Sequence, residues 1–229
     1  VYPLGYGLSY TRFDWSVDNA EALSGGKLTT EPFSIAVTVT NTGSYAGKDV
    51  VQIYATPEYV EHGIEKSHKV LVGFAKTDTL YPASEAGEGK PNSQTLEISV
   101  DPYDLASYDY NDANHNDFRG WELDAGEYVF SVSRDAHTSL QDITLTLDAG
   151  VRYDKDPVTE NEVKNRFDDA DDQLSDVTVD GETRKGLSRS DWEGTWPTDR
   201  ADRGARIVSD DFIAELADTS HNDPNASSY

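Results

Sequence analysis

Alternation of apolar and polar side chains with period two, repeated in short stretches, is the feature that most limits what this chain can become. Phe33, Ile35, Val37 and Val39 alternate with Ser34, Ala36, Thr38 and Thr40. Successive side chains of a strand point to opposite faces, so this spacing gathers the large apolar residues on one side of a half-buried strand. Leu96, Ile98 and Val100 repeat the pattern, as do Tyr128, Phe130 and Val132, then Ile143, Leu145 and Leu147, and near the start Phe13, Trp15 and Val17. Asp49–Ala55 and Val70–Phe74 are apolar runs of strand length. Asn41-Thr42-Gly43-Ser44 supplies turn chemistry after the best of these runs. No stretch of helical period intervenes. Seven short strands with turn residues between them predict an all-β fold, a seven-stranded immunoglobulin-like β-sandwich over residues 13–150.

The chain contains no cysteine. That removes the inter-sheet disulfide of antibody-like sandwiches and points to the fibronectin type III branch of the fold. It also excludes thiolate metal sites, and it leaves the compartment open. After Gly150 the pattern ends. Residues 151–229 are acidic and poor in apolar residues, with Asp168-Asp169-Ala170-Asp171-Asp172 the densest run. Such a segment does not bury enough area for a core of its own, and it is expected to be a mostly irregular connector laid over another surface. Phe167, Trp192 and Trp196 are its aromatic anchors, with Trp192 and Trp196 the expected domain-docking residues. A short helix is expected near 210–217, capped by Ser209, with Asp210 and Asp211 at its positive end and Val208 stapled to Ile213.

Charge excludes several partners. Lys and Arg total 19 against 43 Asp and Glu, a formal charge of -24. Nucleic acid is not expected as a ligand, because its affinity comes from basic residues neutralising phosphate. An anionic membrane surface is not expected either, and no apolar run approaches the roughly 20 residues that span a bilayer. The chain starts at Val1 and has no Met, so it is expected to be a piece of a longer protein.

Tyr2-Pro3-Leu4-Gly5-Tyr6-Gly7-Leu8-Ser9-Tyr10-Thr11-Arg12-Phe13 is the most specific stretch. It resembles the junction in glycoside hydrolase family 3 enzymes where a catalytic domain hands over to a fibronectin type III-like domain. Val39-Thr40-Asn41-Thr42-Gly43, Ala46-Gly47-Lys48-Asp49-Val50-Val51-Gln52-Ile53-Tyr54, Leu71-Val72-Gly73-Phe74, Asp104-Leu105 with Tyr108-Asp109, Trp121, and Ala125-Gly126-Glu127-Tyr128 follow in the family's order. Asn165–Ala170 and Leu187–Pro197 resemble members with inverted domain order, in which a connector leads from this domain into a (β/α)8 barrel. The resemblance implies residues 1–12 as the end of the preceding catalytic domain, 13–150 as the sandwich and 151–229 as the connector. It implies a non-catalytic structural domain of a β-glucosidase-like enzyme that cleaves terminal β-D-glycosidic bonds. Its partners would be the other catalytic domains of that enzyme, and the carbohydrate substrate through them.

Retaining glycoside hydrolysis needs two carboxyl groups roughly 5–5.5 Å apart. The resemblance puts these on the barrel and on the α/β sandwich, so no catalytic residue is expected in this chain. Ser190-Asp191-Trp192 matches the tripeptide around the family nucleophile, but polar Arg184–Arg189 precedes it where an apolar barrel strand is needed. No cofactor is expected, since the glycines form no strand-to-helix phosphate loop. No metal site is expected: the five histidines lack ligand spacing, and Asp168–Asp176 lacks the glycine and glutamate of a calcium loop. The aromatic segment Tyr103, Tyr108, Tyr110, His115 and Trp121 is the candidate for sugar or active-site-rim contact. Tyr110, His115 and Trp121 are the chosen residues, with Asp117 and Arg119 as hydrogen-bonding helpers. The competing use of the same segment is to close the sandwich, and the competing function is a carbohydrate-binding or adhesive module.

Overall fold

The structure is a computed structural model. It describes residues 2–165, 176–179, 181–185 and 188–190. Val1–Ser190 forms one compact unit, and a second unit, Asp191–Tyr229, lies wholly outside the described residues, with the expected helix at 210–217 and the anchors Trp192 and Trp196.

The seven expected strands are all present, in two facing sheets. One sheet has three antiparallel strands in the order β1 (Phe13–Val17), β2 (Phe33–Asn41), β5 (Ser93–Val100). The other has four, in the order β4 (Val70–Lys76), β3 (Val50–Thr56), β8 (Gly126–Ser133), β9 (Ser139–Leu147). Three strands facing four is the fibronectin-like division of an immunoglobulin-type sandwich. A four-residue helix, Ala20–Leu23, links β1 to β2, and a 3-10 turn, Pro102–Leu105, follows β5; neither is long enough to carry a helical period.

The alternation read from the sequence is the core. Ile35, Val37 and Val39 of β2, Ile98 and Val100 of β5, Ile53 of β3, Phe130 and Val132 of β8 and Ile143 of β9 are all buried. Tyr128 adds a corner at the start of β8. Its ring is in the core and its hydroxyl donates to the Asp124 carbonyl at 2.8 Å, while burial pushes the phenol up. The buried Lys66–Asp124 ion pair ties this corner to the loop between β3 and β4.

β3 is buried on both faces. Val51, Ile53 and Ala55 point into the core, and Gln52 and Tyr54 point out but are covered. The cover is the first ten residues, where Leu4 O accepts from the Ala136 N–H at 2.9 Å and Gly5 lies against Gln52. Gln52 Nε2 donates to the Arg134 carbonyl at 2.8 Å, and Gln52 Oε1 accepts from the Tyr54 hydroxyl at 2.7 Å. Covering this face leaves the other side of the segment outward: Tyr2, Leu4, Tyr6, Leu8 and Tyr10 are all exposed, Tyr10 at 96%.

The Asn41-Thr42-Gly43 motif has a physical cause. Asn41 is 2% exposed and fully satisfied. Its Oδ1 accepts from Thr11 Oγ1 at 2.8 Å and the Gly43 N–H at 3.0 Å, and its Nδ2 donates to the Tyr45 and Leu80 carbonyls at 2.8 and 2.9 Å. A Cβ on Gly43 would stand 2.5 Å from the Arg12 backbone nitrogen, so only glycine fits. Asn41→Ala strands several of these buried groups and is expected to cost about 2–4 kcal/mol, read as a lower urea midpoint at unchanged m.

Asp135 holds the β8–β9 turn. Its Oδ1 accepts from the His137 and Thr138 N–H groups, both at 2.8 Å, and these bonds lower its pKa. A carboxyl whose folded pKa is depressed contributes stability above its unfolded value, near ~3.9, and loses it as pH falls through the folded one. Asp135→Ala is therefore expected to be less stable than the parent chain at pH 7, with the gap closing below about pH 3.9. Paired urea titrations across that range check this.

Candidate functional site

A third sheet takes two strands from between β5 and β8 in the chain and one from beyond β9. It pairs β10 (Val151–Tyr153), β7 (Gly120–Leu123) and β6 (Ser107–Asp109), antiparallel and in that order. Val151–Tyr153 falls in the stretch expected to be connector, and here it is a strand. The chain then folds back, with the Val163 N–H donating to the Asp154 carbonyl at 2.9 Å. A further hairpin pairs β11 (Asp176–Val179) with β12 (Glu182–Lys185).

Register brings the aromatic residues together. Tyr108 pairs with Trp121, and Trp121 with Tyr153. Tyr108 meets the Trp121 ring edge-on at 5.3 Å, and Tyr103, from the 3-10 turn, meets Tyr153 at 4.9 Å and Trp121 at 6.4 Å. Tyr103 donates to Asp156 Oδ2 at 3.3 Å; burial, then the Asp156 charge, raises its pKa. Burial pushes the Tyr153 phenol up to about 12. Trp121 remains 37% exposed at the edge of the cluster.

The chosen residues do not converge. Tyr110 lies beyond β6, its carbonyl accepting from Asn165 Nδ2 at 3.2 Å, and it lines a cavity of about 370 Å³ with His62, Glu65, Tyr108, Ser188 and Ser190. Trp121 belongs to the aromatic cluster instead. His115 is exposed in the β6–β7 loop at φ 55°, its N–H donating to the Asp112 carbonyl. Asp117 and Arg119 are exposed in the same loop. Tyr108 is the residue that touches both the cavity and the cluster.

Ser188–Ser190 is fastened to the β3–β4 loop at the cavity wall. Ser188 Oγ donates to Glu65 Oε1, Arg189 stacks 4.2 Å over the Tyr59 ring, and Ser190 Oγ bonds the Tyr59 hydroxyl at 2.7 Å and accepts from the His62 N–H at 2.9 Å. Asp191 and Trp192, the rest of the nucleophile-like tripeptide, lie outside the described residues, as do Asp168–Ser175 of the acidic run.

Two acids at the root of the β6–β7 loop are not among the candidate site residues read from the sequence. Asp109 and Glu122 are 1% and 4% exposed. Asp109 Oδ1 accepts from the Asn111 and Ala113 N–H groups at 3.2 and 3.0 Å, and Glu122 Oε2 accepts from Asn114 and Asn116 Nδ2 at 3.2 and 2.5 Å. Arg152 Nε is 4.0 Å from the same Glu122 oxygen. Burial raises the Glu122 pKa against the two amides, with the Asp109 charge adding to the rise and Arg152 opposing it. The density of Asn and Asp from Asp109 to Asp117 was the available signal. Among the described residues no helix is long and apolar enough to cross a membrane.

With this geometry in hand, the comparisons identify the class. Residues 49–136 match the fibronectin type III-like domain family, and the sandwich is such a domain. The chain is 38% identical to a β-glucosidase of Ruminococcus albus over 148 residues, and 36% identical to β-glucosidase A of Butyrivibrio fibrisolvens over 175 residues. These alignments take in 65% and 72% of this chain but only 14% and 19% of the relatives. The β-glucosidase structure from Paenibacillus barengoltzii superposes with a TM-score of 0.54 at 31% identity, covering 66% of this chain and 16% of that one. The chain thus corresponds to the non-catalytic, fibronectin type III-like region of glycoside hydrolase family 3 β-glucosidases, multi-domain enzymes of which it spans less than a fifth.

Because Trp121 joins Tyr103 and Tyr108 on the aromatic face of the third sheet, Trp121→Ala is expected to cost about 1–3 kcal/mol locally. Amide exchange should speed up at Tyr108 and Tyr153 while β3 and β8 stay protected.

Proposed function

We propose that this chain is a structural segment of a larger β-glucosidase-like hydrolase and fixes that enzyme's catalytic domains relative to one another. It performs no hydrolysis itself. Residues 1–12 are the junction from one catalytic domain, 13–150 the sandwich, and 151–229 the connector toward a (β/α)8 barrel, with Trp192 and Trp196 docking on the neighbouring surface. The observation that carries this is the strip Tyr2, Leu4, Tyr6, Leu8 and Tyr10, apolar or aromatic and exposed along a segment pinned to a rigid sheet. Contiguous exposed apolar surface marks an interaction site. Rigid placement matters to the chemistry, because small displacements of a catalytic group cost large factors in rate. Of the three residues chosen for contact with sugar at the active-site rim, Tyr110 has the best support, since it lines the cavity beside His62 and Glu65.

Release of nitrophenol from a panel of aryl β-glycosides is to be compared between this chain and its full-length parent. The chain alone should be silent and the parent active. In the parent, Leu8→Asp with Tyr10→Asp should lower kcat/KM by at least about tenfold through misplacement of the domains. Tyr110→Ala should raise KM with kcat little changed. Turnover by the isolated chain that disappears in Asp191→Asn would overturn the scaffold role. A parent inactive on every glycoside, with the chain still binding oligosaccharide, would favour the carbohydrate-binding module.

A further inference from the structure

Each carboxylate at the root of the β6–β7 loop is held by only one of its two oxygens. Asp109 Oδ2 and Glu122 Oε1 are buried and have no hydrogen-bond partner. Asn114, which gives its amide nitrogen to Glu122 Oε2, buries its own Oδ1 equally unpartnered. The Asn114–Glu122 hydrogen bond joins two of these groups, and the Asp109 charge is felt at Glu122. Three orphaned acceptors, two of them anionic, thus share one loop root. Buried polar atoms in folded proteins are almost always paired, and a buried charge left unpaired is costlier still.

Protein donors do not resolve this. Arg152 faces Glu122, yet its Nε is nearest Oε2, the oxygen already served by two amides, and its Nη2 is committed to the Asn116 carbonyl at 2.9 Å. One proton shared between the acids would pair their two oxygens but leave the Asn114 carbonyl without a donor. A metal ion held among them would pair all three. The donors are oxygen only, which selects a hard cation over zinc or copper. Calcium accepts irregular sets of six to eight oxygens mixing carboxylate, amide carbonyl and water, whereas magnesium demands a near-ideal octahedron. Among the described residues no three His, Cys, Asp or Glu side chains gather, so the third protein ligand here is an amide oxygen.

We infer that the Asp109–Glu122 loop is a calcium site with Asp109 Oδ2, Asn114 Oδ1 and Glu122 Oε1 as its side-chain ligands. The ion closes the root of the loop and so fixes β6 against β7, and with them the aromatic cluster and the wall of the Tyr110 cavity. This site is independent of whether the parent enzyme hydrolyses glycosides.

The test uses the whole 229-residue chain, stripped with EGTA and then titrated with calcium chloride. Its melting temperature should rise by about 5–10 °C once calcium is roughly a hundredfold above Kd. Terbium should bind in place of calcium and emit on excitation of Trp121 and the neighbouring tyrosines, with calcium displacing it. Both signals should be lost in Glu122→Gln, whose fold is expected to survive, and strongly weakened in Asn114→Ala. A melting shift of equal size in the parent chain and in both variants would assign the ion to the acidic surface and overturn the site. No shift and no terbium emission up to millimolar calcium would overturn it as well, leaving a shared proton as the solution for the two acids.

Discussion

Ile35, Val37 and Val39 from one sheet meet Ile53, Phe130 and Val132 from the other with essentially no exposure, and the two sheets depend on that contact. A single hairpin is marginal in water, so neither sheet is expected to persist without the other face to bury. The turns then follow from where the faces must end. Asn41 closes β2 by answering two carbonyls, one hydroxyl and one backbone N–H, and Tyr128 starts β8 with its ring inside and its hydroxyl on the Asp124 carbonyl. The edge is closed by Asp49, which takes a hydrogen bond from Trp15 Nε1 at 2.8 Å and faces Arg134 at 3.6 Å, while Arg134 stacks on the Trp15 ring and donates to the Phe13 carbonyl.

That core left a mark in the sequence because it has a period. β2 could be read residue by residue, since its neighbours on both sides are also long strands and every second side chain is apolar. β6, β7 and β10 are three or four residues each, too short for any period to emerge. Their partners are also distant: Trp121 meets Tyr108 and Tyr153 through pairing, and nothing local to Tyr153 announces a strand. The break at Gly150 was drawn where composition changes, whereas the third sheet draws its last strand from just beyond it.

The same limit governed the site. Aromatic residues cluster in sequence between Tyr103 and Trp121, but a strand, a ten-residue loop and another strand separate them into different surroundings. Tyr110 turns to the cavity, Trp121 to the aromatic cluster and His115 to solvent. Asp109 and Glu122 do not stand out as site residues because acids are abundant in a chain of charge -24, and sequence alone does not distinguish a buried acid from a solvated one. What separates them is burial, and burial here follows from register: Asp109 pairs with Gly120, and Glu122 sits between Ser107 and Arg152.

Net charge bears on how such a domain can work as a spacer. With 43 acids against 19 bases, most carboxylates repel one another, and solvated ones relieve this through counterions at little structural cost. Asp109 and Glu122 have no such relief, because the loop buries them away from bulk solvent. The loop therefore trades self-repulsion for dependence on a specific partner. An aromatic face alone would hold the third sheet loosely, since Trp121 is partly exposed and the Tyr153 hydroxyl is buried without a partner. Closing the acidic root of the loop supplies the missing constraint on the opposite face of the same strands. The sandwich core thus sets the rigid frame, and the third sheet carries the parts whose position depends on how its buried charge is answered.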